Sequence, residues 1–258
     1  MARRFLSLWF PRLGAERWLR LGAAQPERPF ATVRHEGGAL RLESLGAAAE
    51  AEGLRPGLPL AAAYGACPGL AVLPADPEGE ARLMGAIARA AGRLGVRAAI
   101  EAQATLVLDV TRAAPAMGGE EALMARVLTE AAATRLSARP GLAGNAAASA
   151  FLARHGGGAP EGRIAAPGRT REALAPLPVA ALELGPAAAR RLFRLGVRRI
   201  GEIAELPPAA ILRYLGAETA ARLDALLAEE AEALAAAPEA TVVPFAPLPM
   251  PVPTRRRA

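Results

Sequence analysis

The sequence predicts an α+β fold in which a half of mixed strands and helices precedes an all-helical half. Two continuous apolar runs, Phe5–Phe10 and Thr105–Val110, predict strands buried on both faces. Pro77–Leu94 has apolar residues at helical spacing, and Asp76 stands where an N-cap is needed. From about Pro167 the strands stop and short helices separated by glycine and proline begin. We therefore expect a sheet covered by helices on one face, followed by a small helical domain.

The remaining elements follow from shorter patterns. Two apolar segments flank His35-Glu36-Gly37-Gly38, which indicates a β-hairpin. The run Leu70–Leu73 predicts a further strand, which we place in the same sheet as the two long apolar runs. Shorter patterns of the first half predict helices at Gly14–Leu21, Leu45–Glu52, Leu60–Ala66, Ala122–Leu136 and Asn145–Arg154, and a strand at Pro140–Ala143.

Composition restricts the chemistry. The 258 residues are 52% hydrophobic and 22% charged, which is globular rather than disordered. The 31 basic residues are all arginine, so a lysine-dependent mechanism is excluded, and the net charge of +6 permits a polyanionic partner. The single cysteine, Cys67, excludes an intrachain disulfide and a thiolate metal cluster. No run is long enough to span a membrane, so we expect a cytoplasmic protein without membrane contact.

The helical half carries a pattern typical of helix-hairpin-helix DNA-binding motifs. A tight turn at Gly185 is followed by a helix that Pro186 opens, which presents backbone N–H groups such as that of Ala187 to a phosphate. A bundle with arginines on its solvated face is the alternative, since Gly-Pro turns occur in helical hairpins without DNA contacts. The predicted phosphate-contact residues are Gly185, Ala187, Arg190, Arg191, Arg194, Arg198 and Arg199.

In collinear order, residues 5–235 resemble a Y-family translesion DNA polymerase, most closely the catalytically degenerate ImuB type. FLSLWFPRL resembles the first palm strand, LVLDVT the strand after the acidic pair of the family, and LGPAAARRLFRLGVRRIGEIAELP the thumb. The resemblance implies a palm over 1–29 and 70–165 and small fingers over 30–69. It implies a helix-hairpin-helix thumb over 166–236, and we expect residues 237–258 to be a disordered proline-rich tail. Compared with the family, we expect the chain to be truncated and to lack the little-finger domain.

The resemblance also implies where a polymerase would hold magnesium. The aspartates of the first palm strand align with Trp9 and Pro11, and the acidic pair of the later strand aligns with Ala104 and Thr105. Magnesium needs oxygen ligands, and two-metal catalysis needs several carboxylates converging on one place. We therefore expect neither a metal nor a cofactor, and no catalytic residues. The carboxylates Glu16, Glu101 and Asp109 remain as replacements to be tested.

The family's triphosphate-binding residues are also replaced in this sequence. The tyrosine of the family's fingers aligns with Ala47, and the arginine aligns with Glu50. The second replacement exchanges a cation for an anion. In the thumb hairpin, the first glycine of the family aligns with Glu183 and its lysine with Ala187. We therefore expect that these positions do not bind the triphosphate of an incoming nucleotide.

These departures favour a non-catalytic, polymerase-like scaffold in DNA repair and error-prone translesion synthesis. The implied partners are damaged or primed DNA, an error-prone replicative-type polymerase and a RecA-like accessory protein. Two alternatives remain: an active nucleotidyltransferase whose ligands lie elsewhere in the sequence, and a helix-hairpin-helix DNA-binding module whose first half is only structural.

Overall fold

The structure is a computed structural model, and it describes residues 2–93, 95–101, 104–157 and 164–229. The predicted tail over 237–258, the last residues of the predicted thumb and Leu94 lie outside the described residues. The described strands are β1 (Phe5–Trp9), β2 (Phe30–Glu36), β3 (Ala39–Leu45), β4 (Ala71–Pro74), β5 (Arg97–Glu101), β6 (Thr105–Asp109) and β7 (Arg139–Ala143).

The helices fall into two groups along the chain. Those of the first half are α1 (Leu13–Arg20), α2 (Ala47–Ala51), α3 (Leu60–Ala66), α4 (Pro77–Gly92), α5 (Ala113–Ala116), α6 (Glu120–Ala133) and α7 (Ala146–His155). Those of the second half are α8 (Thr170–Leu174), α9 (Pro186–Arg194), α10 (Ile200–Ala204), α11 (Pro208–Leu215) and α12 (Ala217–Leu227), with a 3-10 turn at Val179–Leu182. The mixed half followed by a helical half confirms the predicted fold class.

A four-stranded antiparallel sheet in the order β5-β6-β1-β7 forms the centre of the first half. The two long apolar runs are neighbours in it, as predicted, and Leu6 pairs with Leu108. Both strands are buried over four of their five residues, since helices cover both faces. Sequence analysis did not identify β5, because this edge strand carries Arg97 and Glu101 at its ends and is only partly buried.

The faces of this sheet are covered by different helices. Leu6, Leu8 and Leu106 point into a core completed by α4 and α6. Helix α7 packs on the opposite face against β1, β6 and β7, where Ser7 and Ser149 hydroxyls lie 2.7 Å apart. The expectation of a sheet covered on one face is therefore wrong. The apolar runs themselves indicate burial on both faces, and α7 supplies the second covering layer.

A separate three-stranded sheet, in the order β3-β2-β4, forms a small unit with α2 and α3. The predicted hairpin is confirmed, and its turn glycines Gly37 and Gly38 have positive φ. The placement of Leu70–Leu73 in the large sheet is wrong, because β4 pairs in parallel with β2 instead. A four-residue apolar run shows that a strand exists but does not show which sheet it joins.

The helical half packs onto the large sheet through α7. Phe151 and Leu152 of α7 share one core with Leu192, Ile200 and Leu223 of the helical half. Asn145, 2% exposed, fixes this junction with both ends of its amide. Its oxygen accepts from the Ala148 N–H and caps α7, while its nitrogen donates to the carbonyl groups of Leu226 and Ala228. No described helix is long and apolar enough to cross a membrane.

Candidate nucleic-acid interface

One end of the large sheet carries a row of four paired residues that runs across all of its strands. Glu101 of β5 pairs with Thr105 of β6, Thr105 pairs with Trp9 of β1, and Trp9 pairs with Arg139 of β7. Directly paired residues of antiparallel strands point to the same face. We call these residues, Glu101, Thr105, Trp9 and Arg139, the palm row. It contains two of the positions at which the resemblance implies metal-binding carboxylates.

A fifth side chain reaches this row from helix α7. The Arg154 guanidinium donates to the Thr105 hydroxyl, with Nη2 3.0 Å and Nε 3.3 Å from the oxygen. Burial raises the pKa of Glu101, and the charge of Arg154 acts in the opposite direction. Burial lowers the pKa of Arg154, which Glu101 and Glu183 counteract. Arg154 therefore places a cation at the row, which includes two positions that the resemblance aligns with metal ligands.

The other two aligned positions lie in the turns that follow and precede these strands. Pro11 follows β1 in a half-buried turn. Ala104 lies in the turn between β5 and β6 with φ of 55°, and its carbonyl accepts a hydrogen bond of 3.0 Å from the Phe10 N–H. Neither side chain has an oxygen that can bind a metal.

The remaining carboxylates do not converge on the palm row. Glu16 is 6% exposed and accepts hydrogen bonds from the N–H and hydroxyl groups of Ser137. Asp109 lies at the far end of β6, about 13 Å from Thr105 at the usual strand rise, and accepts from the Thr111 N–H. Over the ranges that the structure describes, no three acidic, histidine or cysteine side chains form a metal-binding group. The residues at the row do not fit a magnesium pair.

Glu50, which the resemblance aligns with an arginine of the family's fingers, joins the small unit to the large sheet through an ion pair. Glu50 of α2 lies 3.2 Å from the Nε atom of Arg12, which follows β1. Both side chains are partly exposed, at 37% and 27%, so the pair contributes little to stability. Ala47 is the exposed first residue of the same helix. The Glu50 carboxylate thus pairs with Arg12 and would repel a triphosphate instead of attracting it.

The thumb hairpin is formed as the sequence predicts. Gly185 is the N-cap of α9, Pro186 occupies its first turn, and Gly185 and Ala187 are both exposed. The N–H groups of a first helical turn have no partner within the helix. Glu183 adopts the left-handed conformation, with φ of 50°, at the position that aligns with a glycine of the family. The backbone therefore retains the bend of a glycine turn although the residue is not glycine.

The five predicted arginines are exposed, but they differ in their contacts. Arg191 donates to the Tyr214 carbonyl at 3.1 Å, and Arg198 donates to the Phe193 carbonyl and lies 4.0 Å from the centre of its ring. The guanidinium groups of three others form no hydrogen bond or ion pair with any described residue: Arg190, Arg194 and Arg199. These three are the cations most available to a phosphate.

Sequence reasoning did not identify Arg139 and Arg154 as site residues. Arg154 contacts a residue 49 positions away, and the guanidinium of Arg139 lies 5.3 Å from the centre of the Trp9 ring across a strand pair. Neither contact leaves a local sequence pattern. The pairing of β1 with β7 and the position of α7 were needed to find them.

No family model matches the sequence. The chain is 36% identical over 182 residues to Protein ImuB of Caulobacter vibrioides, in each of two strains. The match covers 70% of this chain and 39% of the relative, so the chain spans well under half of the curated proteins it matches.

Solved structures share the fold at lower sequence identity. DinB from Sulfolobus solfataricus superposes with a TM-score of 0.70 and 18% identity, covering 86% of this chain and 66% of that one. A post-insertion binary complex of Dbh DNA polymerase superposes with a TM-score of 0.74 and 16% identity, covering 89% of this chain and 68% of that one. These similarities show that the chain shares the fold of these polymerases.

Proposed function

Because this chain is a Y-family polymerase-like protein related to ImuB, we propose that it acts as a non-catalytic, DNA-binding scaffold in DNA repair and error-prone translesion synthesis. The palm row carries this proposal. Trp9 and Thr105 face each other at the strand ends, and the Arg154 cation is hydrogen-bonded to Thr105. A catalytic metal pair needs anionic oxygen ligands, so this arrangement favours a protein that holds DNA without extending a primer.

The thumb supports contact with a phosphate backbone. Its exposed turn at Gly185 and the exposed cations Arg190 and Arg194 lie on α9. Such contacts carry no base information, so we expect binding that depends on salt and not on sequence. One of the structures that share this fold is a post-insertion binary complex of a DNA polymerase, which is in keeping with this assignment.

The partner proteins are proposed from the resemblance alone. They are an error-prone replicative-type polymerase, which would supply the missing chemistry, and a RecA-like accessory protein. A scaffold that binds primed DNA next to an active polymerase accounts for a palm and thumb without the metal-binding carboxylates that the resemblance implies.

The thumb is tested by replacing Arg190 and Arg194 together with alanine. Each phosphate contact contributes about −0.9 to the slope of log affinity against log salt concentration. With three or four contacts we expect a slope of roughly −3 for duplex DNA, and the double variant is expected to flatten it by about one to two units. Fluorescence anisotropy of a labelled duplex across a salt series measures both values.

The matched control replaces Arg82 and Arg89, two exposed arginines of α4, and removes the same charge. We expect the control to retain most of the affinity and slope of the unchanged chain. Equal salt slopes for the two double variants would contradict a role for the thumb in DNA binding.

A further inference from the structure

We propose that the palm row, together with Arg154, is a metal-independent contact for the phosphate backbone of a nucleic-acid strand. The inference rests on the proposed function only in taking a nucleic acid as the ligand. It assigns a direct, arginine-based phosphate contact to the sheet end at which a metal-dependent polymerase would have carboxylates.

Arg139 supplies the more accessible cation. It is exposed, and its guanidinium forms no hydrogen bond or ion pair with any residue that the structure describes. Its Cζ atom lies 5.3 Å from the centre of the Trp9 ring. Stacking on an aromatic ring leaves the N–H edge of the guanidinium plane open, and this edge matches a phosphate in a bidentate geometry. The side chain is thus oriented before a ligand arrives.

Arg154 supplies the second cation from the other side of Trp9. Its hydrogen bonds to the buried Thr105 hydroxyl fix its position. Neighbouring strands lie about 4.8 Å apart, which separates Thr105 from Arg139 by about 10 Å across the Trp9 strand. Two cations at this separation suit a chain of repeated negative charges better than a single small anion.

The local charge balance favours an anion. Within the row and Arg154, two arginines face one carboxylate, that of Glu101, which gives a net charge of +1. Among the described residues, Glu183 and Arg222 also act on Arg154, in opposite directions. His155, beside Arg154 on α7, has its pKa lowered by burial, so this side chain adds no positive charge near neutral pH.

Trp9 distinguishes a nucleic acid from an acidic protein segment. Its partly buried ring lies between the two cations, on the strand between those of Thr105 and Arg139. Bases and sugars of a single strand stack on aromatic rings while arginines contact the phosphates on either side. An acidic peptide provides the charge but not the flat group that such a ring accepts.

The test uses the full chain and a fluorescein-labelled thymidine oligomer of about twelve nucleotides, a length within the range one single-strand site covers. Binding is measured by anisotropy in EDTA and in magnesium. We expect binding in EDTA that magnesium does not strengthen, since magnesium competes with arginine for the phosphates. Arg139→Gln is expected to weaken binding about three- to tenfold at low salt and to reduce the salt slope by about 0.7, the contribution of one single-strand phosphate contact. Arg82→Gln, which removes the same charge from α4, serves as the control.

A second variant guards against a folding defect. Thr105→Val removes the hydrogen bonds between the Thr105 hydroxyl and Arg154 without changing the charge, and we expect a loss of affinity smaller than that of Arg139→Gln. Unchanged binding by Arg139→Gln, or binding that EDTA abolishes, would overturn the proposal. Displacement of the oligomer by an oligo-glutamate peptide at equal charge concentration would overturn it in favour of an acidic protein partner. If Arg139→Gln has no effect while the thumb variants weaken duplex binding, this inference fails and the proposed function stands.

Discussion

Replacing Gly141 with alanine is expected to lower the free energy of unfolding by about 3 kcal/mol or more. Gly141 lies in β7 opposite Ser7, where helix α7 crosses the sheet. A Cβ atom on Gly141 would overlap the backbone nitrogen of Ala153 and the carbonyl oxygen of Ser149, both in α7. Backbone atoms cannot rotate away as a side chain can, so the whole helix must move off the sheet. Denaturant unfolding measures the difference.

Gly65→Ala is the matched control for this substitution. Gly65 lies in helix α3, and a Cβ atom there would meet nothing within 4 Å. Alanine is the better helix former, so we expect this variant to gain up to about 1 kcal/mol. If Gly141→Ala were as stable as Gly65→Ala, the close packing of α7 on β7 would be contradicted. Because α7 carries Arg154, the Gly141 variant is also expected to disturb the palm row.

Asn145→Ala is expected to cost about 3 kcal/mol, the second large effect. The substitution removes the N-cap of α7, which contributes about 1 kcal/mol. It also leaves the carbonyl groups of Leu226 and Ala228 without the donor that now lies 3.3 and 2.6 Å away, at about 1–3 kcal/mol for a buried group left without a partner. The loss is measured by denaturant unfolding, and amide hydrogen exchange should report faster opening of the thumb than of the palm.

Asn145→Ser separates the two contributions. A serine hydroxyl retains the cap of α7 but does not reach the carbonyl groups of α12 and the residue beyond it. We expect Asn145→Ser to recover about 1 kcal/mol of the loss, with the thumb still exchanging faster. A serine variant as stable as the unchanged chain would show that the bonds to Leu226 and Ala228 do not hold the thumb in place.

The fold was largely predictable because its main elements carry local signals. Phe5–Phe10 and Thr105–Val110 are mostly apolar runs, and both form central strands. Asp76 and Asn145 precede helices as N-caps, and both side chains accept from the backbone as their positions predict. What was missed depends on contacts distant in sequence. Strand β4 joins the small sheet through parallel pairing with β2, which no local pattern encodes.

The candidate site was predictable only in part, for the same physical reason. The alignment with a known family located Trp9 and Thr105, and the Gly-Pro pattern located the thumb turn. The cations that replace the metal ligands come from β7 and α7, and only the tertiary fold brings Arg139 and Arg154 to the row. Arg191 and Arg198 look equivalent to their neighbours in the sequence, yet each is bound to a carbonyl group of its own domain.

Primer extension with the protein in excess over DNA tests the central claim, which is that this palm binds DNA without extending a primer. The full chain is incubated with primed template, deoxynucleotides and either magnesium or manganese, and binding of the same DNA is measured in EDTA. We predict that the primed DNA is bound in EDTA and that no primer gains a nucleotide with either metal. Extension by even one nucleotide that EDTA abolishes, and that Glu101→Gln also abolishes, would contradict the account, because it would mean that Glu101 binds a catalytic metal despite the adjacent Arg154 cation.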